Sequence, residues 1–116
     1  MKHVIKYRDG HSEAVEADTF VEAIEAHKSH LAMANLSGTD LRGANLAMAN
    51  LSRANLSRAT LAMANLAGAD LTGVNLFGAD LTDANMTGAN MTDANLAGVN
   101  LTWANTKGAV GLKPQK

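Results

Sequence analysis

Residues 44–66, ANLAMANLSRANLSRATLAMANL, return a leucine at every fifth position, Leu46, Leu51, Leu56, Leu61 and Leu66, and repeat little else so strictly. A period of five suits neither common element. In an α-helix five steps rotate by about 500°, or about 140° net, so successive leucines scatter round the cylinder. In a flat strand an odd period sends each leucine to the face opposite the last. A chain that turns by roughly 90° every five residues removes the conflict. Four repeats then close a square, every leucine faces its axis, and stacked coils bury them together.

Outward from this stretch the register holds from Ser29 to Gly108, 80 residues or 16 pentapeptides, enough for four square coils. The central position is Leu from Leu31 to Leu101, with Met86 and Met91 as substitutes, and it fails at Thr106. Two residues earlier stands a small side chain, Ala in most repeats, with Ser29, Thr39, Val74 and Val99 as exceptions. Both positions are expected to point inward, the long one filling the axis and the small one letting the backbone turn. Immediately before the leucine comes Asn or Asp, apart from His30 and Thr60. These side chains satisfy backbone groups at corners by bonding their own neighbouring backbone, and they tolerate turn conformations. Asn35, Asn55, Asn75 and Asn95 are expected to stack, with Asn45, Asn65, Asn85 and Asn105 opposite, as amide ladders between coils. The last position is often Gly, which suits a turn with positive φ and weakens a helix by about 1 kcal/mol each time.

ANLAM, ANLSR, ADLTG and ADLTD resemble the pentapeptide repeat family, whose pattern is A(D/N)LXX, over about 80 of the 116 residues. The resemblance implies an all-β fold, a right-handed quadrilateral β-helix. It implies no shared catalytic residue and no cofactor, since the motif specifies a coil and not a site. It also brings the idea that some members protect DNA gyrase by imitating duplex DNA. Duplex DNA carries about one charge per 1.7 Å, and four coils spaced by about 4.8 Å span about 19 Å, a length over which DNA bears about eleven charges. The repeat offers Asp40, Asp70, Asp80, Asp83 and Asp93. A DNA-mimicking modulator of gyrase is therefore the alternative to a non-catalytic scaffold that binds a protein partner or itself.

Residues 1–28 read as a cap on the repeat of 29–108, and 109–116 as a tail. HVIKYRDGHSEAV alternates around Asp9-Gly10, a two-residue hairpin turn that sets Lys6 opposite Glu13 and Val4 opposite Val15. A helix follows: Thr19 and Glu22 have capping-box spacing, and Phe20, Ile24, His27 and Leu31 recur at helical intervals. At the other end KGAVGLKPQK offers Val110 and Leu112 and no capping helix, so Trp103 is a candidate lid or self-association surface.

Other chemistry is weakly signalled. A formal net charge of −1 excludes a strongly basic nucleic-acid binder, so no direct nucleic acid is expected. The chain lacks Cys and so any thiolate site. No run approaches 18 apolar residues and MKHVIKYRDG lacks a signal-peptide core, which points to a cytoplasmic protein without a membrane. His3, His11, His27 and His30 precede the coils, and His27 with His30 has i, i+3 spacing, but no acidic pair or Cys completes a metal set. Asp80 and Asp83 are expected on one side of a convex rod, which gives a catalytic pair no cleft. No nucleophile elbow or phosphate loop occurs, so no enzyme is expected. Phe77 takes a position filled mostly by Ala, Ser or Thr and is expected at the surface, a candidate contact residue, while Met33, Met48 and Met63, in the last repeat position, are expected to pack partly at corners, with a soft apolar strip as the alternative. Thr72, Thr82, Thr87, Thr92 and Thr102 hint at ice binding through a short array. Charge is polarised: residues 29–68 carry Arg42, Arg53 and Arg58 against Asp40, net +2, and residues 69–108 carry Lys107 against Asp70, Asp80, Asp83 and Asp93, net −3. The candidate interaction surface is Phe77, Trp103, Asp80, Asp83, Asp93, Arg53 and Arg58.

Overall fold

The computed structural model describes residues 1–112. Its order is β1 (Lys2–Tyr7), β2 (Ser12–Glu16), α1 (Phe20–Ala26), a 3-10 turn (Lys28–His30) and β3 (Ala34–Asn35), followed by the repeat as a series of turns and single bridges. The bridges are parallel and join residues twenty apart: Asn35 to Asn55, Asp40 to Thr60, Asn45 to Asn65, Asn50 to Asp70, and onward to Asn90 with Val110. They fall into four columns, so the chain makes one circuit every twenty residues.

Each repeat turns in the same way. Ala59 N–H donates to Leu56 O at 3.1 Å, and equivalent bonds close the other turns from Leu31 to Ala109. The third turn residue has positive φ, the type II arrangement. Gly38, Gly43, Gly68, Gly73, Gly78, Gly88, Gly98 and Gly108 take it at φ 66° to 73°, as the glycine pattern predicts. Between turns the leucine N–H donates to the next circuit, Leu56 to Asn75 O at 2.7 Å, while Asn75 N–H donates back to Ala54 O at 3.0 Å. This double ladder holds successive circuits at fixed spacing.

The leucines and the small residues both face inward. From Leu31 to Met91 every residue at the leucine position is fully buried, and Val74 fits the small position without exposure. Each buried leucine contributes about 1.5–3 kcal/mol, and only if a neighbouring circuit covers it. Toward the far end the axis opens. Leu96 is 8% exposed, and Leu101, Val99 and Thr106 are half-buried. Val110 accepts from Met91 N–H at 2.8 Å, and Leu112 packs partly on the core.

The near end is covered by β1, β2 and α1. The hairpin has a different register from the one expected: Val4 lies opposite Ala14 and Lys6 opposite Ser12. Its loop is three residues, Arg8 to Gly10, closed by Tyr7 N–H to His11 O and Gly10 N–H to Tyr7 O, both 3.0 Å. Gly10 stands at φ +94°, the glycine that a three-residue loop requires, and this one extra residue shifts every pair. The shift turns Glu13 and Val15 of β2 to the face that β1 buries with Ile5 and Tyr7, and leaves Ser12, Ala14 and Glu16 exposed. In α1 the Thr19 hydroxyl accepts from Glu22 N–H at 3.1 Å, and Ala23 and Ile24 are buried.

This cap also meets the backbone donors of the first circuit. β1 pairs antiparallel with β3, Lys6 against Asn35. Asn45 N–H donates to the Glu25 carboxylate at 2.7 Å, and Asn50 N–H to Lys28 O at 2.8 Å. Three of the four columns are thereby closed by a strand, a carboxylate and a carbonyl, the usual remedy for an exposed sheet edge.

A polar cluster joins hairpin to helix. Tyr7 is buried, and its hydroxyl lies 3.0 Å from His30 O and 3.3 Å from Glu13 Oε2. Its ring stacks on His11 at 4.2 Å, and Glu13 also meets His27 Nε2. Burial first, and the Glu13 charge second, push the Tyr7 phenol up to about 12. A phenol whose folded value lies above its unfolded value, 10.0, favours the neutral form, so its contribution is complete below pH 10 and is lost as pH rises toward 12. Because the chain has 1 Tyr, phenolate absorbance reads this group alone. The folded protein is expected to titrate near 12 and the urea-unfolded chain near 10, with Glu13→Gln lowering the folded value. Equal titration of the folded and unfolded forms would contradict the buried position.

Candidate interaction surface

The outward polar side chains are committed to the backbone. At all fourteen Asn and Asp positions from Asn35 to Asn105, Oδ1 accepts the N–H two residues on, at 2.9–3.4 Å. The amide ladders expected between coils are therefore secondary. Among the described residues Asn95 Nδ2 to Asn75 Oδ1, at 3.3 Å, is the bond of that kind, and that oxygen also accepts the Phe77 N–H of its own turn.

The threonines behave alike. Thr82, Thr87, Thr92 and Thr102 donate their hydroxyls to the preceding Asp or Asn at 2.5–2.7 Å. An ice-binding array needs hydroxyls turned to water, and these four donors are turned to the protein. Thr82's hydroxyl and amide also hold the Asp80 carboxyl below the usual carboxylate range.

What is left to meet a partner stands at the corners. Trp103 is 83% exposed, Met48 76%, Met63 64% and Phe77 38%. Trp103 does not act as a lid: at a corner with φ 62° its side chain is directed away from the axis it was expected to cover. The methionines form no strip, since Met33, Met48 and Met63 fall at three different corners of the twenty-residue circuit. Met48 instead lies against Gly68, one circuit on. Phe77 carries the Arg58 guanidinium 5.2 Å from its ring centroid, a cation–π contact. Arg53 lies over Gly73 and accepts, through its carbonyl, the Arg8 guanidinium at 3.1 Å.

The seven candidate residues do not share one face. Asp80 bridges Thr60 and Asn100, with Asp83 at the next corner. Asp93 precedes the Asn35, Asn55, Asn75 and Asn95 column, on which Arg53, Arg58 and Phe77 also border. Trp103 shares the corner of Asp83. Arg8 and Lys6 were missed, because the repeat pattern does not show which strand joins the first circuit. The signal was the alternation in β1 that buries Ile5 and Tyr7.

Met33, Met48, Arg53, Arg58, Met63, Asp83, Asp93 and Trp103 hold φ of 57–64° without being glycine, a conformation in which a Cβ costs about 1–2 kcal/mol. Met48 and Arg53 recover part of this by packing on the glycine beneath. Trp103 recovers little. Trp103→Gly is accordingly expected to leave stability unchanged or raise it by up to about 1 kcal/mol in urea unfolding; a loss of that size would show that Trp103 supports the fold.

The sequence matches the profile described as pentapeptide repeats (8 copies) over residues 34–73 and 75–109. A pentapeptide repeat protein from the Arabidopsis thaliana thylakoid lumen is 36% identical, with TM-score 0.66, over 71% of this chain and 57% of its own. Another, from Nostoc PCC 7120, is 31% identical, also with TM-score 0.66, over 82% of this chain and 75% of its own. The chain thus spans little more than half the length of the thylakoid protein. Comparison with curated proteins gave no match.

Proposed function

This chain belongs to the pentapeptide repeat family, and from that premise we propose that it is a non-catalytic protein-interaction module, a right-handed quadrilateral β-helix of about four coils whose corner residues meet a protein partner. The observation that carries the reading is the division of labour along each repeat. Leucine and alanine fill the axis, Asn and Asp oxygens hold the turns, and only the two corner residues are free to vary. Those positions carry exposed Trp103 and Phe77, side chains of the kind that anchor interfaces.

Comparison of the wild type with Phe77→Ser/Trp103→Gly as crosslinking baits tests it. A protein retained by the wild type and lost by a double variant of unchanged stability is expected. Equal capture by both, or none by either, overturns the assignment. Imitation of DNA is less well supported, because Asp80 and Asp83 lie on the side opposite Asp70 and Asp93 and make no single acidic track. A gyrase supercoiling titration separates the two readings. No inhibition is expected, and inhibition abolished by D80N/D83N/D93N would put DNA mimicry in its place.

A further inference from the structure

One sheet runs from the cap down a whole side of the molecule. β1 pairs with β2 and, through Lys6, with Asn35; Asn35 bridges Asn55, Asn55 bridges Asn75, and Asn75 bridges Asn95. Because Ile5 and Tyr7 are buried, strand alternation turns Val4, Lys6 and Arg8 outward, onto the same surface as the asparagines. Arg53 and Arg58 flank that surface at its two corners.

Four cations, Lys6, Arg8, Arg53 and Arg58, therefore gather on one side of a chain whose formal net charge is −1. The ion pairs among the described residues involve other groups: the N-terminus with Glu16, His11 with Asp9, His27 with Glu13, and Arg42 with Asp40. Arg8 and Arg58 are instead steered by uncharged groups, the Arg53 carbonyl and the Phe77 ring. Asp93 is the acid that borders the far end of this side, and Glu16 at the near end is occupied by the terminal amine at 2.9 Å.

The asparagines add to this pattern. Oδ1 of Asn35, Asn55, Asn75 and Asn95 is taken by the N–H of Ser37, Ser57, Phe77 and Ala97. Their outward hydrogen-bonding groups are then Nδ2 donors, of which that of Asn95 turns along the column to Asn75. The surface offers cations and amide donors, with Val4 and Phe77 exposed among them. Its chemical complement is a row of anionic acceptors interspersed with apolar groups.

We propose that this sheet face docks an extended acidic segment of a partner protein, with carboxylates on Lys6, Arg8, Arg53 and Arg58 and on the Asn55 and Asn75 amides. The inference rests on the protein-interaction reading and specifies its partner. Nucleic acid also supplies anions, but binding single strands uses aromatic rings free to stack on bases, and Arg58 occupies the Phe77 ring. The aspartates on the remaining sides oppose a long polyanion more than a short segment.

Fluorescein-labelled decaglutamate, followed by anisotropy with the full chain, tests the face. Binding that weakens with added salt is expected. R53Q/R58Q, which keeps both stems, is expected to weaken it about tenfold, whereas R42Q/K107Q, an equal change in net charge at other corners, changes it less than about twofold. Asn75→Asp keeps the turn oxygen, as Asp80 does for Thr82, but removes an outward donor; a weakening of about fivefold is expected, against none for R42Q alone. No binding of decaglutamate, or equal loss in the two double variants, overturns the proposal, and tighter binding of labelled decathymidylate assigns the face to nucleic acid instead. If decaglutamate fails while crosslinking still yields a partner lost on Phe77→Ser/Trp103→Gly, this face alone is wrong. If both fail, the interaction reading falls with it.

Discussion

Leu61→Ala is expected to destabilise the protein by about 2–5 kcal/mol, measured as a fall in the urea midpoint at constant slope. Leu61 is fully buried, as are Leu41 and Leu81, its equivalents one circuit before and after. Truncation loses the transfer energy of the side chain and leaves a cavity, and the second cost depends on whether the walls can collapse. Here they cannot move freely. Leu61 N–H donates to Asp80 O at 2.7 Å, and Leu41 N–H to Thr60 O at 2.8 Å, so closing the void means stretching ladder bonds on both sides. Leu61→Met is expected to cost less than about 1.5 kcal/mol, because Met86 and Met91 are fully buried at the same position. Leu101→Ala, where the axis is open, is expected to cost less than Leu61→Ala. Equal losses at Leu61 and Leu101 would mean that burial along the axis does not set stability.

Ile24→Ala is expected to cost a similar amount, about 2–5 kcal/mol, by a different route. Helix α1 has seven residues, too few to persist in water without packing, and Ile24 is its fully buried anchor. Loosening it withdraws Glu25 and Lys28 from the amides of Asn45 and Asn50. In hydrogen exchange those two amides are expected to lose protection at least about tenfold, while Asn75, bonded to Ala54 O, keeps most of its own. Unchanged protection at Asn45 and Asn50 would show that the cap is held by β1 alone.

The two substitutions probe the parts of the molecule that differed most in legibility. The repeat was readable because one period governs burial, turn and bridge together: a leucine every fifth residue, a small residue two before it, and an Asn or Asp between leave one geometry. The hairpin was readable as an element but not in register. Asp9-Gly10 suits a two-residue turn and equally the end of a three-residue loop, and the choice is settled by β2, since only the longer loop sets Val15 and Glu13 on the face of Ile5 and Tyr7. The asparagines were assigned to their own neighbouring backbone, where Oδ1 does accept the amide two residues on; the ladders also expected between circuits are found, among the described residues, as one bond, Asn95 to Asn75, because the turn orients each side chain along its own repeat. The surface was least legible. Phe77 was expected outside and is found there, but its pairing with Arg58 depends on a separation of nineteen residues, and the company of Lys6 and Arg8 depends on a strand outside the repeat.

The twenty-residue circuit bears on how such a chain tolerates changes of length. Gain or loss of one pentapeptide keeps every leucine on the axis, so the core is indifferent to it. Everything downstream, however, is carried round by a quarter turn, and a residue that lay in line with Arg53 comes to lie on the adjoining side. Gain or loss of four pentapeptides restores every bearing and changes only the height of the stack. Folding therefore admits lengths in steps of five, while a binding surface that spans circuits admits them in steps of twenty. In a lineage selected only for a stable rod, insertions and deletions of any multiple of five should accumulate; in one selected for a surface, the multiples of twenty should dominate.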